Sequence, residues 1–568
     1  MTTLNLNTHT RPLRFGRVAA FAAFGIALSH SVIAQAPRTD IGTIVGLPGS
    51  NLGAAMQVIP TPGTAADLVM IGSPGITGGV VGRVQLYGAT SATMPFFPGP
   101  AVFAPTAGTA FGASLAFDAS RNGVVGSPAS SPTDPMGVIL RNAGGLENYT
   151  PFAMSGGLSV DGDSAGDQLG FSVAVGDFLD NGGALDYLAG MPGTALPGEV
   201  RLYDASGTAT VVPDPVMSGP AGFGTSVARI GDVDQDGNDD FIVGHPVALG
   251  GSGHAYVYSG RTQDLLTTLS GGFSFGSNVG IVGNVDGDGV PEFFVSEPGL
   301  GFGLGQIVIY RGASLTQHSA VVGTTFNFMG LPGIGTAVAG EYDYNNDGRD
   351  DIVFGEPGAA LLATVYDVAH GAVLLAIPRP TGNTAPVTSI AFANVDAETM
   401  VGDPEGPYGA QKEIVVGQGD AMAGAGTVSV YSTGRLGLDY CSPAVPNSTA
   451  RPAKLAALVG PGPSFGTFGI PVLLTCSDLP PSVNTFFLSG MTVRFDPAFL
   501  GIGALCVGDL VMLPPAPIDS GAMGFVSLPV TVSVPVGTTV YYQVYYEDVD
   551  PITSAPANNF SNALSITF

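Results

Sequence analysis

Tryptophan is absent from this chain of 568 residues, cysteine occurs three times and histidine six times. Two of the histidines, His9 and His30, fall near the N-terminus, which leaves little material for sites built from many imidazole or thiolate ligands. Basic residues are scarce too, with 18 Lys and Arg against 45 Asp and Glu and a formal net charge of −27. A phosphate-neutralising surface cannot be assembled from that balance, so nucleic acid is excluded as a partner. Charged residues of all kinds make up only 11% while 45% are hydrophobic, the reverse of a disordered composition. What abounds is glycine, with 85 residues, and proline, with 45. Beside so much apolar residue they predict many short strands joined by tight turns rather than long helices.

At the N-terminus Arg11, Arg14 and Arg17 precede an apolar stretch at 18–28, followed by Val32-Ile33-Ala34. This is the pattern of a secretory signal peptide over residues 1–34, cut before Gln35. Eleven apolar residues are too few to span about 30 Å of hydrocarbon, and no later run of 18 follows, so no transmembrane segment is expected in the mature chain. The expected location is secreted or at the cell surface, in a calcium-rich, oxidising compartment.

A Gly-x-Pro signature after a short apolar strand recurs at Gly72, Gly126, Gly190, Gly244, Ser296 and Gly355, with a worn copy at Gly417. The copies lie 52 to 64 residues apart. A Phe-Gly start precedes most of them (Phe111-Gly112, Phe223-Gly224, Phe275-Gly276, more loosely Leu169-Gly170 and Ile334-Gly335), and a Gly-x-Val-x-Val-Tyr strand follows most. Each unit has room for about four strands and cannot cover both of its own apolar faces, so it must stack on its neighbours. The fold class expected is all-β: a seven-bladed β-propeller over residues 35–437, followed by a β-sandwich over 438–568. Residues 43–47 are placed to pair into the last blade and close the ring.

Phe-Gly, an Asp-rich loop and Gly-x-Pro, in this order, resemble the FG-GAP repeats of integrin alpha-subunit propellers and related bacterial secreted proteins. The resemblance covers roughly 400 residues and implies a calcium-binding extracellular propeller with its metal loops in the later blades.

Between the two anchors the fourth unit reads Asp232, Asp234, Asp236, Asn238 and Asp240 at alternate positions. Alternate side chains of a curled loop can converge on one cation, a glycine at position 6 permits the turn, and the residue at position 7 adds its carbonyl, which together make the oxygen shell that Ca2+ prefers. The fifth unit repeats the pattern with Asn284, Asp286, Asp288, Val290 (carbonyl) and Glu292, and the sixth with Asp343, Asn345, Asp347, Arg349 (carbonyl) and Asp351. An EF-hand is excluded, because its position 12 requires Glu and here Val243, Val295 or Phe354 stands in an apolar strand. Unit 3 (Asp177, Asp180, Asn181, Asp186) and unit 7 (Asn394, Asp396, Glu398, Glu413) are irregular versions. Units 1 and 2, with Asp67 and Asp118 only, are expected to bind no metal.

Catalytic patterns are missing. Gly272-Phe273-Ser274-Phe275-Gly276 matches a nucleophile elbow in letters alone, since it falls where a blade begins. His245, His254, His318 and His370 lack the spacing of a metal pair and read as turn or surface histidines. Asp161, Asp163 and Asp167 read as a solvated loop on the face opposite the metal loops.

The C-terminal region holds Cys441, Cys476 and Cys506 and resembles a module recurring in large secreted proteins of environmental bacteria. That resemblance implies a Cys441–Cys506 bridge with Cys476 left over. Taken together, the sequence predicts a monomeric, calcium-stabilised, non-catalytic adhesion or binding protein for an extracellular protein or glycan. The alternative is a secreted hydrolase or lyase working on a propeller face.

Overall fold

A computed structural model describes residues 40–60, 67–75, 81–88, 97–103, 110–118, 122–128, 138–142, 159–163, 166–183, 185–193, 197–215, 221–248, 252–301, 303–323, 333–345, 347–358, 360–380, 382–395, 412–419, 424–431, 438–439, 447–449, 453–459, 470–496, 504–535, 538–549 and 556–567. The expected signal peptide, Cys441, Asp396 and Glu398 lie outside them. Every named element is a β-strand, in keeping with the all-β expectation. Among the described residues no helix is long and apolar enough to cross a membrane.

Six four-stranded antiparallel sheets follow one another within residues 56–103, 114–161, 172–212, 226–270, 279–322 and 338–378. A seventh joins Ser389–Ala393, Glu413–Gln418 and Thr427–Tyr431 to the N-terminal strand Asp40–Val45, which pairs antiparallel with Thr427–Tyr431. The first strands touch in sequence from Met56–Ile59 round to Ser389–Ala393, which returns to Met56–Ile59, so the sheets form the closed ring of a β-propeller. The seventh sheet is thus built from both ends of the repeat array, as residues 43–47 suggested.

Second strands such as Asp240–His245 and Glu292–Glu297 are buried along their whole length. They are short apolar runs because sheets cover both of their faces. Cores form between neighbouring sheets, as where Leu188, Val200 and Leu202 meet Phe223, Phe241 and Tyr256. Each large apolar side chain buried in this way contributes about 1.5–3 kcal/mol.

The repeat signatures mark the seams between blades. Gly224 N–H donates to Gly244 O at 3.1 Å, and the Ser226 hydroxyl donates to Gly276 O at 2.9 Å. A Cβ on Gly244 would overlap that same Gly276 oxygen, and a Cβ on Gly190 would overlap the Gly224 oxygen. The glycine of Gly-x-Pro is therefore needed for the next blade's Phe-Gly backbone to approach. The ring closes through the same seam, with the Ser389 hydroxyl donating to Gly53 O at 2.8 Å. Leu52-Gly53, with Leu52 fully buried and Gly53 at φ +86°, thus acts as the Phe-Gly pair of the first blade, a role its letters had not revealed.

Beyond the ring, a five-stranded sheet runs in the order Leu438–Asp439, Pro556–Thr567, Thr539–Val549, Asn484–Gly490, Val511–Asp519. A three-stranded sheet joins Lys454–Val459, Ile470–Ser477 and Val526–Val532. The two share one core, in which Leu455, Val472 and Leu474 meet Phe487, Tyr542, Val544 and Leu564.

Candidate metal centres

In the fourth blade the loop before Asp240–His245 is curled by its own carboxylates. Asp232 accepts the N–H groups of Asp236 and Gly237 at 3.0 Å each, Asp234 accepts that of Asp236 at 3.0 Å, and Asp236 accepts that of Asn238 at 3.0 Å. Gly237 holds φ +96°, where a side chain would be strained. The fifth blade repeats the curl: Asn284 accepts from Gly287 at 2.9 Å, Asp286 from Asp288 at 3.1 Å, and Asp288 from Val290 at 2.8 Å. In the sixth, Asp343 accepts from Asp347 at 2.9 Å and Gly348 at 2.6 Å, and Asp347 from Arg349 at 2.9 Å.

These curls gather oxygens. Asp232, Asp234 and Asp236 offer ligand atoms within 4.8 Å of one another, as do Asp286, Asp288 and Glu292. Such acidic clusters can hold a metal ion, and hard carboxylate oxygens suit a calcium-like cation. The ninth-position acids do a second job, since each anchors the N–H of loop position 2. Asp240 accepts from Val233 at 2.8 Å, Glu292 from Val285 at 2.8 Å, and Asp351 from Tyr344 at 2.9 Å. The other oxygen differs from blade to blade. In Asp351 it is buried without a hydrogen-bond partner, which fits a cation, whereas in Asp240 it accepts the Gly260 N–H at 3.0 Å and in Glu292 the Gly312 N–H faces the carboxylate. Asp240 therefore stands apart from the three carboxylates that converge in its loop. Burial, with a smaller push from nearby acids, raises Asp240 to about 6 and Glu292 to about 7.

The sixth loop departs from expectation. Its convergent trio is Asp347, Asp367 and His370, rather than Asp347 with Asp343 and Asp351. His370, read from sequence as a turn or surface residue, is buried with its Nδ1 2.8 Å from Asp367 Oδ2 and 3.3 Å from Asp347 Oδ2. His245 is buried as well, edge-on to Phe223. His245 is covered by Phe223 and Tyr256 of its own blade, and His370 by its own blade's loop and by Phe525 of the C-terminal region.

In the third blade Asp186 spends both oxygens on Leu179 N–H and Asn181 Nδ2, each at 2.7 Å, and Asp180 pairs with Arg261 at 2.7 Å. In the seventh, Glu413 accepts from Val395 N–H at 2.9 Å. Asp118 of the second blade closes a turn on Asn122 at 2.6 Å. On the other face Asp161 and Asp163 are exposed, Asp163 pairing with Arg201, while Asp167 alone is buried and accepts from Leu169 N–H at 3.2 Å. Ser274 sits at φ +69° in the turn between Leu265–Ser270 and Val279–Gly283, with no helix after it, so no nucleophile elbow forms.

No family model matches the chain. Integrin alpha-7 of Homo sapiens is 29% identical over 246 residues, covering 40% of this chain and 19% of that protein. Integrin alpha-7 of Rattus norvegicus is 30% identical over 203 residues (33% and 17%), and integrin alpha-E of Mus musculus 31% over 218 residues (34% and 18%). The chain thus spans about a fifth of the length of these curated relatives. Among solved structures, the Dos1 propeller aligns with 64% of this chain and 75% of its own at 13% identity and a TM-score of 0.39. The ring of repeats is an integrin-alpha-like FG-GAP β-propeller.

Proposed function

We propose that the protein is a secreted, calcium-stabilised, non-catalytic binding or adhesion protein. In this reading residues 1–34 are removed, residues 35–437 form one seven-bladed propeller, and residues 438–568 form a β-sandwich module. The observation that carries the reading is the repeated curl of the fourth, fifth and sixth loops, each presenting carboxylate oxygens at the same point of the repeat. Calcium supplies the charge that lets these acids stay ionised side by side, and so locks each loop to the strand that follows it. The fifth site would use Asp286, Asp288 and Glu292, and the fourth Asp232, Asp234 and Asp236. The ligand is expected to be an extracellular protein or glycan engaged by a propeller face, as the similarity to integrin alpha chains suggests. Calorimetric calcium titration of the chelator-treated protein tests the metal, with binding at about 10⁻⁴ to 10⁻³ M expected for extracellular sites. Glycan arrays and pull-downs on immobilised surface proteins test the ligand. Absence of calcium binding, or of any retained ligand in calcium, overturns the corresponding half.

A further inference from the structure

The residue after the third-strand tyrosine reaches the metal loop of its own blade. After Tyr258 it is Ser259, whose hydroxyl donates to Asp236 at 3.3 Å, and after Tyr310 it is Arg311, 3.4 Å from Asp286. After Tyr366 it is Asp367, which instead adds a fully buried carboxylate and accepts from Asn345 Nδ2 at 3.0 Å. His370 is folded onto it, with its backbone N–H donating to Asp367 Oδ1 at 2.9 Å.

On its far side His370 meets groups that lead out of the propeller. Arg349 Nη1 lies 3.1 Å from His370 Nε2. The other ring nitrogen of His370, Nδ1, donates between the Asp347 and Asp367 carboxylates. Arg349 Nη2 donates to Asp478 Oδ1 at 2.9 Å, and both side chains of that pair are largely buried. Asp478 follows Ile470–Ser477 of the C-terminal region, which also sends the Lys454 ammonium to the Asp347 carbonyl and stacks Phe525 on the His370 ring at 5.2 Å. A Cβ on Gly348 would press on that ammonium at 2.6 Å, so the loop's position-6 glycine serves the contact as well as the turn.

We propose that the sixth loop is the docking site of the C-terminal module on the propeller, and that a divalent cation in this loop and the docked module stabilise each other through Asp347, His370, Arg349 and Asp478. The proposal rests on the calcium reading above. Its sign follows from charge and from order. Asp343, Asp347, Asp351 and Asp367 bring four carboxylates, Lys454 one ammonium and His370 at most one further positive charge, and Arg349 is matched by Asp478, which still leaves an excess of negative charge for a dication. The docked module fixes Asp347 from behind, so the fifth-position ligand is ordered before the ion arrives. By reciprocity, whatever docking adds to calcium affinity, calcium adds to docking.

The test uses the full mature chain with calcium as the probe. Small-angle scattering and limited proteolysis should show a compact, resistant particle in calcium and an extended chain, cut between propeller and module, in EDTA. Asp343→Asn, a loop carboxylate with no hydrogen bond or ion pair to the module though within the field of Lys454, should reproduce the EDTA state, while Asp232→Asn in the fourth loop should not. Arg349→Met keeps the loop carbonyl but cuts the chain, and should weaken one class of calcium site about tenfold, within the usual range of such coupling. Asp478→Asn should act in the same direction and changes no shape. If wild type binds no calcium, the calcium reading fails and this proposal with it. If calcium binds while the scattering profile ignores EDTA and both variants keep wild-type isotherms, the coupling alone is overturned.

Discussion

Asp67 and Asn394 exchange two hydrogen bonds where the ring closes. Asp67 N–H donates to Asn394 O at 2.6 Å, and Asn394 N–H donates to Asp67 Oδ2 at 2.9 Å. Two other blade pairs use the same exchange. Asp239 N–H donates to Asp177 O at 2.8 Å and its carboxylate accepts from Asp177 N–H at 3.0 Å, while Asp350 is bound to Asn284 at 3.1 and 2.8 Å. In each pair an acid one residue before the buried second strand grips the first residue of the preceding blade's loop. Asp67, which by its sequence looks like the remnant of a lost metal loop, is a ring clasp.

Replacing Asp67 with alanine should therefore cost about 1.5–3 kcal/mol, the range for hydrogen bonds to a charged group. Asp67→Asn should retain most of that stability. Urea denaturation of the three proteins in calcium decides the point, and an alanine variant as stable as wild type would remove the clasp from the account.

The seam makes a sharper demand. Gly244→Ala drives a methyl into the Gly276 carbonyl, and neither backbone can retreat without opening the blade contact. A loss of more than about 3 kcal/mol, or failure to fold, is expected. Gly237→Ala meets no atom within 4 Å and carries only the strain of a positive φ, about 1–2 kcal/mol. Equal stability of the two variants would contradict the steric reading of the signature.

The ring and the loops were legible in the sequence because both are local. Gly244-His245-Pro246 and Asp232 to Asp240 each carry their pattern within a few residues, and repetition multiplies the signal. What escaped is what the ring brings together. His370 and Asp367 lie some twenty residues beyond the loop they meet, Arg349 was read for its carbonyl while its guanidinium reaches Asp478, and Asp67 gains its partner only on closure.

Calcium removal should lower the melting temperature. At a concentration tenfold above its dissociation constant each site adds about 1.4 kcal/mol, so Asp236→Asn should shrink the calcium-dependent gain by about one site's worth. Differential scanning calorimetry with and without EDTA measures it. An identical thermogram in the two conditions counts against all three loops.

The metal-free protein should respond to pH in the opposite sense to most acidic proteins. Asp240 and Glu292 sit at about 6 and about 7, above their ordinary values of about 3.9 and 4.3. A folded-state pKa raised in this way gives stability that is complete below about pH 4 and is lost as pH climbs through 6 and 7. In EDTA the melting temperature should fall between pH 5 and pH 8. Calcium favours the ionised carboxylates, so at pH 6.5 its binding should release protons, visible as a dependence of the titration heat on the buffer's ionisation enthalpy. A buffer-independent heat rejects the assignment.

The thiols give the last test. Cys506 is disulfide-bonded, whereas Cys476 is free and fully buried in the core shared by the two C-terminal sheets. Burial pushes the Cys476 thiol well up, so it should not react with iodoacetamide in the native state and should label once on denaturation. The expected partner of Cys506 is Cys441, as the module's resemblance implies, and non-reducing peptide mapping should recover that cross-link. A bridge closing about 66 residues is worth about 4 kcal/mol in the chain-entropy model, so reduction should loosen the C-terminal sheets while the propeller's calcium-dependent melting stays in place. Native labelling of Cys476, or a peptide joining it to either other cysteine, would overturn the assignment.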